Sequence, residues 1–299
     1  MATDTIHLFL NPTAGRGRAG RRRARILELL GQSGVPREYY ASQSAGDLET
    51  QVLRQVDSGA TRIVVAGGDG SVHEAVNGIM RAGKRAALGV IPTGTGNDFA
   101  KACDIPLNWE HATQLLGDRI KARQTPRKID IGRFNDRFFA NGAGIGFDAK
   151  VSHIAQSYRL PIGDLVYLLA IFRAMMGRIA SPNVQIKADD YSWEGPITLA
   201  AFSNGPWVGS MFHIAPTAIN SDNLMELLIV KPVTRRRIMT LLPKLMNGEH
   251  MQEPEVIHRS LTSLSIMAET PIPSQLDGEV QPLQTDFELS VLPGALDLL

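Results

Sequence analysis

The sequence holds a single cysteine, Cys103, among 299 residues, so an internal disulfide is impossible and a reducing compartment suits the chain. Long apolar runs are missing. The longest, LVYLLAIF, stops at Arg173, far short of the ~20 residues a membrane-spanning helix needs. The N-terminal stretch MATDTIHLFLNP has no basic leader region, and its apolar run is too short for a signal peptide. These absences predict a soluble, cytoplasmic protein. Charge of one sign is not in excess either: 31 lysines and arginines face 30 acidic residues, so no global field selects nucleic acid or membrane. The seven histidines show no H-x-x-x-H or H-E-x-x-H spacing, which argues against a zinc site. There is no Walker A motif, no internal repeat and no low-complexity tract.

What is present is an ordinary apolar fraction, 43%, and a length that favours two domains. Up to about residue 125 the pattern alternates between strand and helix. IHLFL, REYYAS, TRIVVAGG and AALGVI read as strands, and the segments between them read as helices. SAGD (Ser44, Asp47) and SVHE (Ser71, Glu74) have the form of capping boxes opening two of those helices. Such alternation with short connections predicts a doubly wound parallel α/β sheet. After Gln124 the rhythm changes. KIDIGRF and RFFANGAGI flank an Asn135-Asp136 hairpin signal, and NVQIKAD, ITLAAFSN, MELLIVK, EVIHR, LTSLSIMA and FELSVL are strand-like. Helical patterns remain over 148–157, 164–177 and 234–247. The expected division is an α/β domain over 1–125 followed by a mostly antiparallel β domain.

Three glycine loops follow strands of the first domain. HLFLNPTAGRGRAG contains G-x-G-x-x-G at Gly15, Gly17 and Gly20, a dinucleotide fingerprint in form. However, Asn11 to Ala14 separate those glycines from the strand, while Arg16 and Arg18 add donors suited to phosphate oxygens. A dinucleotide, another phosphate ligand and a plain flexible turn all stay open on the pattern alone. GGDGS (Gly67, Gly68, Asp69, Gly70, Ser71) joins a buried strand to a helix, where close backbone approach and the helix N-terminus favour an anion. Asp69 there makes sense if a cation or hydroxyl sits between it and the anion. PTGTGNDFA (Gly94, Thr95, Asn97, Asp98) repeats the design on the next strand, and two such loops on adjacent strands make a cleft.

NPTAGRG, GGDGS, PTGTGNDFA, KIDIG, FANGAGIGFDA, SNG, APTAINSDN and LDGE follow one another in an order that resembles the diacylglycerol-kinase catalytic-domain family of bacterial lipid kinases. That family is related to sphingosine and ceramide kinases and shares its G-G-D-G turn with NAD kinases and phosphofructokinases. The fold the resemblance implies is an α/β domain over 1–125 plus a β-sandwich over 126–283, with the tail from about 284 to 299 returning to the first domain. The resemblance implies ATP in a cleft between the domains, with contacts from Asn11, Gly15, Arg16, Ser42, Gly67, Gly68, Asp69, Gly70, Ser71, Gly94, Thr95 and Asn97. It implies that Asp69, Asp98 and Asp130 organise a catalytic Mg2+, and that Asp222 with the carbonyls of Ile219 and Leu224 holds a structural one. Glu279 matches the general base, with Asp277 orienting it or itself accepting the proton. The implied activity is transfer of the ATP γ-phosphate to a hydroxyl of diacylglycerol or a similar lipid reached by peripheral contact with a membrane.

The chain departs from the family pattern in two places. After SNG it reads PWVGSMF, keeping Gly209 alone of the usual glycine run, and D-G-x-L-D becomes DNLME, with Asn223 for a glycine and Glu226 for an aspartate. Both bear on the identity of the acceptor. Two rival functions follow: a kinase of a soluble acceptor in the style of NAD kinase, and a catalytically idle nucleotide-binding regulator. Arg21, Arg22, Arg23 and Arg25 read as a solvated helix face with a membrane patch as the alternative, and Met175 and Met176 as packing residues. The oligomeric state is left open, with a homodimer as one option.

Overall fold

Continuous apolar strands and one-sided helices build the first of two units, residues 1–130 together with 293–299. The computed structural model describes residues 5–158, 165–188 and 190–299. Strands β1 (Ile6–Leu10), β2 (Arg37–Ala41), β3 (Arg62–Gly67) and β4 (Ala87–Pro92) pair in parallel in the order β2-β1-β3-β4. β1, β3 and β4 are buried almost throughout, which is why they read as unbroken apolar runs rather than alternating ones. Helices α1 (Ala14–Gly31) and α5 (Trp109–Lys121) direct Ile26, Leu30, Leu116 and Ile120 onto Leu8, Leu10, Val64 and Ile91. Removing one such side chain to alanine costs about 2–5 kcal/mol. Helices α2 (Asp47–Asp57) and α3 (Asp69–Ala82) pack on each other and against β1 and β3. A short α4 (Asp98–Ala102) precedes α5. The chain end joins this unit, Asp297 and Leu298 pairing in parallel with Ala87 and Leu88 of β4.

Neither capping box forms. α2 begins after the left-handed Gly46, and its first amides, Leu48 and Glu49 N–H, donate to the Glu74 carboxylate 3.0 and 3.3 Å away. Glu74 therefore caps a neighbouring helix instead of its own, because α3 has already begun at Asp69 and carries Glu74 past its first turn. Ser44 contributes its carbonyl to Asp47 N–H, and the Asp47 carboxylate accepts from Gln43 N–H. Helix α5 lacks a strong apolar stripe in the sequence, and its cap, Asn108 accepting from Glu110 and His111 N–H, is its clearest local signal.

The second unit, residues 131–292, is antiparallel. Its strands are β5 (Arg127–Phe134), β6 (Arg137–Phe139), β7 (Gly142–Gly146), β8 (Asn183–Lys187), β9 (Ser192–Pro196), β10 (Leu199–Ser203), β11 (Met225–Val230), β12 (Val256–Leu261), β13 (Ser263–Leu276) and β14 (Glu279–Leu298). The main order is β12-β11-β10-β7-β13-β14, with β8 joining β13 to β9, and β5 pairing with β6 and β14. RFFANGAGI is two strands rather than one, broken at Ala140 and Asn141. Strand β9 exposes alternate residues, and Gly195 and Pro196 hide its strand character in the sequence. Phe134, Phe139, Phe202 and Phe287 fill the core, Phe134 and Phe287 meeting edge to face at 5.5 Å. Helices α6 (Phe147–Ser157), α7 (Leu165–Met176) and α8 (Arg235–Asn247) form a second apolar cluster with Phe212. Asp164, Asp189 and the first four residues of the N-terminal stretch lie outside the described residues. Met175 is buried as a packing residue, whereas Met176 is 67% exposed, because the α7 stripe turns it outward. Among the described residues no helix is long and apolar enough to cross a membrane.

Candidate functional site

Parallel pairing aligns the carboxyl ends of four strands in the first unit. Leu10 lies opposite Ala41 and Ala66, and Gly67 opposite Pro92, so Asn11, Ser42, Gly68 and Thr93 leave the sheet along one edge. Ligands of open parallel sheets bind along such an edge. Ser42 is buried there, its N–H donating to Leu10 O. Asn11 caps the first loop, its Oδ1 accepting from Thr13 N–H and Oγ1.

The glycines are explained by backbone contact. A Cβ on Gly94 would overlap Gly68 Cα, and one on Gly68 would lie 3.0 Å from Gly94 Cα, so the second and third loops touch main chain to main chain. Thr93 and Gly94 N–H both donate to Gly67 O. Gly15, Arg16 and Gly17 are consecutively left-handed, φ 56°, 61° and 80°, which bends the first loop against Thr93 O. Arg18 secures the arrangement, donating to Gly15 O at 2.9 Å, Gly94 O at 3.1 Å and Thr95 Oγ1 at 3.4 Å. Arg16, by contrast, is exposed and makes no hydrogen bond among the described residues. Asn97, itself left-handed, accepts from Gly94 N–H and donates to Gly94 O, closing the third loop on itself. Thr93 is fully buried and, among the described residues, its hydroxyl has no hydrogen-bond partner.

The three candidate metal-organising aspartates of this unit differ in their partners. Asp69 Oδ1 accepts Phe99 N–H at the start of α4. Asp98 is buried and pairs with Lys101 Nζ at 3.1 Å. Asp130, also buried, accepts Gly294 N–H at 2.7 Å, holding the returning tail. The arginines of α1 have local engagements: Arg22 stacks over Trp109, Arg23 over Tyr39, and Arg25 pairs with Glu28. Those contacts describe a solvated helix face.

In the second unit, motifs far apart in sequence meet. Asp277-Gly278 is the two-residue turn between β13 and β14, with Leu276 opposite Glu279. The Asp277 carboxylate accepts N–H bonds from Ala140, Asn141 and Gly142 at 2.8–3.0 Å. Asn141 O in turn accepts from Asn204 and Gly205 N–H, tying in the SNG segment. Gln275 links this turn to α6: its Oε1 accepts Gly278 N–H and its Nε2 donates to Asp148 at 2.7 Å. Gln156 of α6 donates to Gly278 O and to Glu279 Oε2 at 3.2 Å, orienting a carboxylate that is otherwise exposed. Gln156, Gln275 and Asp148 have no individual signature; Asp148 alone falls inside a recognisable motif, GIGFDA.

Behind α6, α7 and α8 lies an apolar cavity of about 110 Å3 lined by Val151, Tyr167, Ile171, Phe212, Leu241 and Leu242, among others. Asp148, His250 and the Tyr167 phenol are its ionisable wall residues. Desolvation pushes the Asp148 carboxyl up and the buried His250 imidazole down, so both are biased toward neutrality. The segment after SNG borders this region, Val208, Gly209 and Phe212 lining the cavity. Gly209 packs on the Tyr167 ring, Trp207 stacks on His213 at 4.3 Å, and Glu226 is buried, accepting from His258 Nε2 and Ser260. Asn223 is left-handed, φ 67°, a conformation asparagine tolerates where the family pattern has glycine. Asp222 accepts Leu224 N–H, and Ile219 is 57% exposed. Among the described residues no cluster of three or more His, Cys, Asp or Glu is arranged to hold a metal.

Comparison with known proteins bears on these features directly. Residues 5–134 match the diacylglycerol kinase catalytic domain, and residues 142–299 match the YegS C-terminal NAD kinase beta sandwich-like domain. The chain belongs to the diacylglycerol kinase family, and it is a lipid kinase. A diacylglycerol kinase of Staphylococcus epidermidis is 30% identical over 91% of this chain and 84% of its own. One from Bacillus subtilis is 29% identical over 91% and 88%. A solved diacylglycerol kinase structure from Bacillus anthracis superposes with a TM-score of 0.75 at 21% identity, covering 99% of this chain and 96% of that one, a likeness of fold. The fold of this family is the α/β domain with a β-sandwich described above.

Proposed function

We propose that the protein transfers the γ-phosphate of ATP to the free hydroxyl of a diacylglycerol or a closely similar neutral lipid. The observation that carries the acceptor class is the apolar cavity, whose Asp148 and His250 are both driven toward their uncharged forms. Such a wall suits an acyl chain with an uncharged head and disfavours a soluble dinucleotide, whose phosphates would meet no cation there.

The first unit fits a triphosphate. The loops can approach an anion closely because glycine occupies the contacts a Cβ would fill, and Thr93 keeps a buried hydroxyl without a hydrogen-bond partner among the described residues. Arg16 is a cation available to phosphate oxygens, while Arg18 positions the loops. Asn11, Ser42, the Gly67–Ser71 turn, Gly94, Thr95 and Asn97 complete the nucleotide contacts in this reading. Among the described residues Asp69, Asp98 and Asp130 do not come together as a direct metal cluster, so as hard oxygen donors they would reach Mg2+ partly through water, and the ion would supply neutralisation of phosphate charge. Asp222 with the Ile219 and Leu224 carbonyls would hold the second ion.

Glu279 accepts the proton of the attacking hydroxyl as its oxygen bonds to phosphorus and the bond to the β-phosphate breaks. Gln156 holds that carboxylate in one orientation, and Asp277 braces the turn beneath it. Transfer of radiolabelled phosphate from ATP to diacylglycerol, monoacylglycerol, sphingosine and NAD tests the proposal. Labelling of NAD alone would overturn the acceptor, and no labelling at all would favour an idle regulator.

A further inference from the structure

Helix α7 is apolar on both sides. Val166, Ala170, Ile171 and Ala174 are buried against α8 and the cavity region, yet Leu165, Leu169, Phe172 and Met176 are 51, 41, 38 and 67% exposed. Their spacing, i, i+4, i+7 and i+11, places them on one stripe. Arg173 is the single charged residue of the helix. At its end Arg235 donates to Gly177 O at 3.1 Å, which brings the start of α8 beside the end of α7 and gathers Arg173, Arg178, Arg235 and Arg236 there. Neither helix contains an acidic residue. At ~1.5 Å per residue the helix is roughly 18 Å long, too short to cross a bilayer of ~30 Å but suited to lying in its surface.

We infer that the outer face of α7, with the arginines at its end, is the surface by which the enzyme docks on an anionic lipid bilayer. The inference rests on the reading of the acceptor as a membrane lipid and gives it a route: Tyr167 and Ile171 of the same helix line the cavity. Charge decides for a bilayer over a second copy of the chain, since like arginines would face one another across a twofold axis. Area decides the same way. Four side chains on one short helix expose roughly a few hundred Å2, below the ~800 Å2 per partner of a standard interface. Insertion of the stripe supplies apolar burial, and each arginine near anionic lipid adds to it. Arg22, Arg23 and Arg25 of α1, already stacked or paired, are not required.

Two variants test this: Leu169→Ser with Phe172→Ser and Met176→Ser, and Arg173→Glu with Arg178→Glu. Sedimentation with phosphatidylcholine vesicles, with and without phosphatidylglycerol, should show the serine variant binding both at least about tenfold more weakly. The charge variant should lose only the increment due to phosphatidylglycerol and its salt dependence. Both should keep the wild-type melting temperature and turnover of a short-chain soluble diacylglycerol while losing turnover of long-chain diacylglycerol in vesicles. Wild-type sedimentation by both variants overturns the docking face, as does a wild-type dimer that the serine variant dissociates without change in vesicle binding. Absence of turnover on either diacylglycerol, with vesicle binding weakened as expected, overturns the acceptor and leaves the docking face standing.

Discussion

The two units build their sites from different parts of the polypeptide. In the first, the loops at the sheet edge are shaped by main chain: Gly68 meets Gly94, and left-handed residues 15–17 press on Thr93 O. In the second, the corresponding work falls to side chains: Asp277 gathers three backbone amides, and Gln275 and Gln156 tie the turn to α6. A main-chain site depends on the absence of atoms, so almost any substitution harms it through overlap. A side-chain site depends on hydrogen bonds, so conservative substitutions dissect it.

The largest effect expected is on chemistry with structure intact. Glu279→Gln should lower kcat by about 100- to 10,000-fold. Because Glu279 is exposed, melting temperature and ATP affinity should stay at wild-type values. A variant that turns over lipid normally would remove Glu279 from the mechanism. Asp277→Asn should act differently, costing roughly 2–3 kcal/mol of stability, since an amide cannot accept charge-assisted bonds from three N–H groups as a carboxylate does. Denaturant unfolding measures it, and an unchanged midpoint would deny the turn its bracing role. Gly94→Ala should weaken nucleotide binding and cost about 1–3 kcal/mol, because the loops must part to admit the methyl group. Thermal shift with ATP then separates the two units: Gly94→Ala should reduce the ATP-dependent shift, and Asp277→Asn should preserve it.

The smallest effect is a pH dependence confined to the cavity. Burial lowers the His250 pKa from 6.5, with His213 and His258 adding repulsion. The folded state therefore binds fewer protons than the unfolded one, and stability falls as the pH drops below about 6.5 toward the depressed folded value. His250→Asn should flatten that part of the melting-temperature profile. Asp148 contributes with the opposite sense: its raised pKa favours the folded state at low pH, and the benefit is lost as pH rises through the folded value. Equal slopes in wild type and His250→Asn would show that the imidazole is not desolvated by the cavity.

The α/β domain and the antiparallel β region were readable from periodicity because buried parallel strands are apolar throughout, as in IHLFL and RIVVAG, while antiparallel ones carry turn signals such as Asn135-Asp136; the sandwich itself came from the family resemblance. Local rules failed where a distant partner intervened. Glu74 has the spacing of a capping box, yet it serves the amides of α2 across a helix pair. Arg18 reads as a phosphate donor, yet its guanidinium bridges two loops that are 76 residues apart.

The sequence by itself determined which glycines, carboxylates and turns the protein has, because φ restrictions and strand periodicity are properties of residues and their near neighbours. Only the tertiary structure decided which carboxylates are held by partners, as Asp98 is by Lys101 and Asp277 by three amides, and which is oriented yet exposed, as Glu279 is. It alone enclosed Asp148 and His250 in an apolar cavity and left one stripe of α7 uncovered. Burial and pairing depend on what the fold brings from elsewhere in the chain, and that is not written in local order.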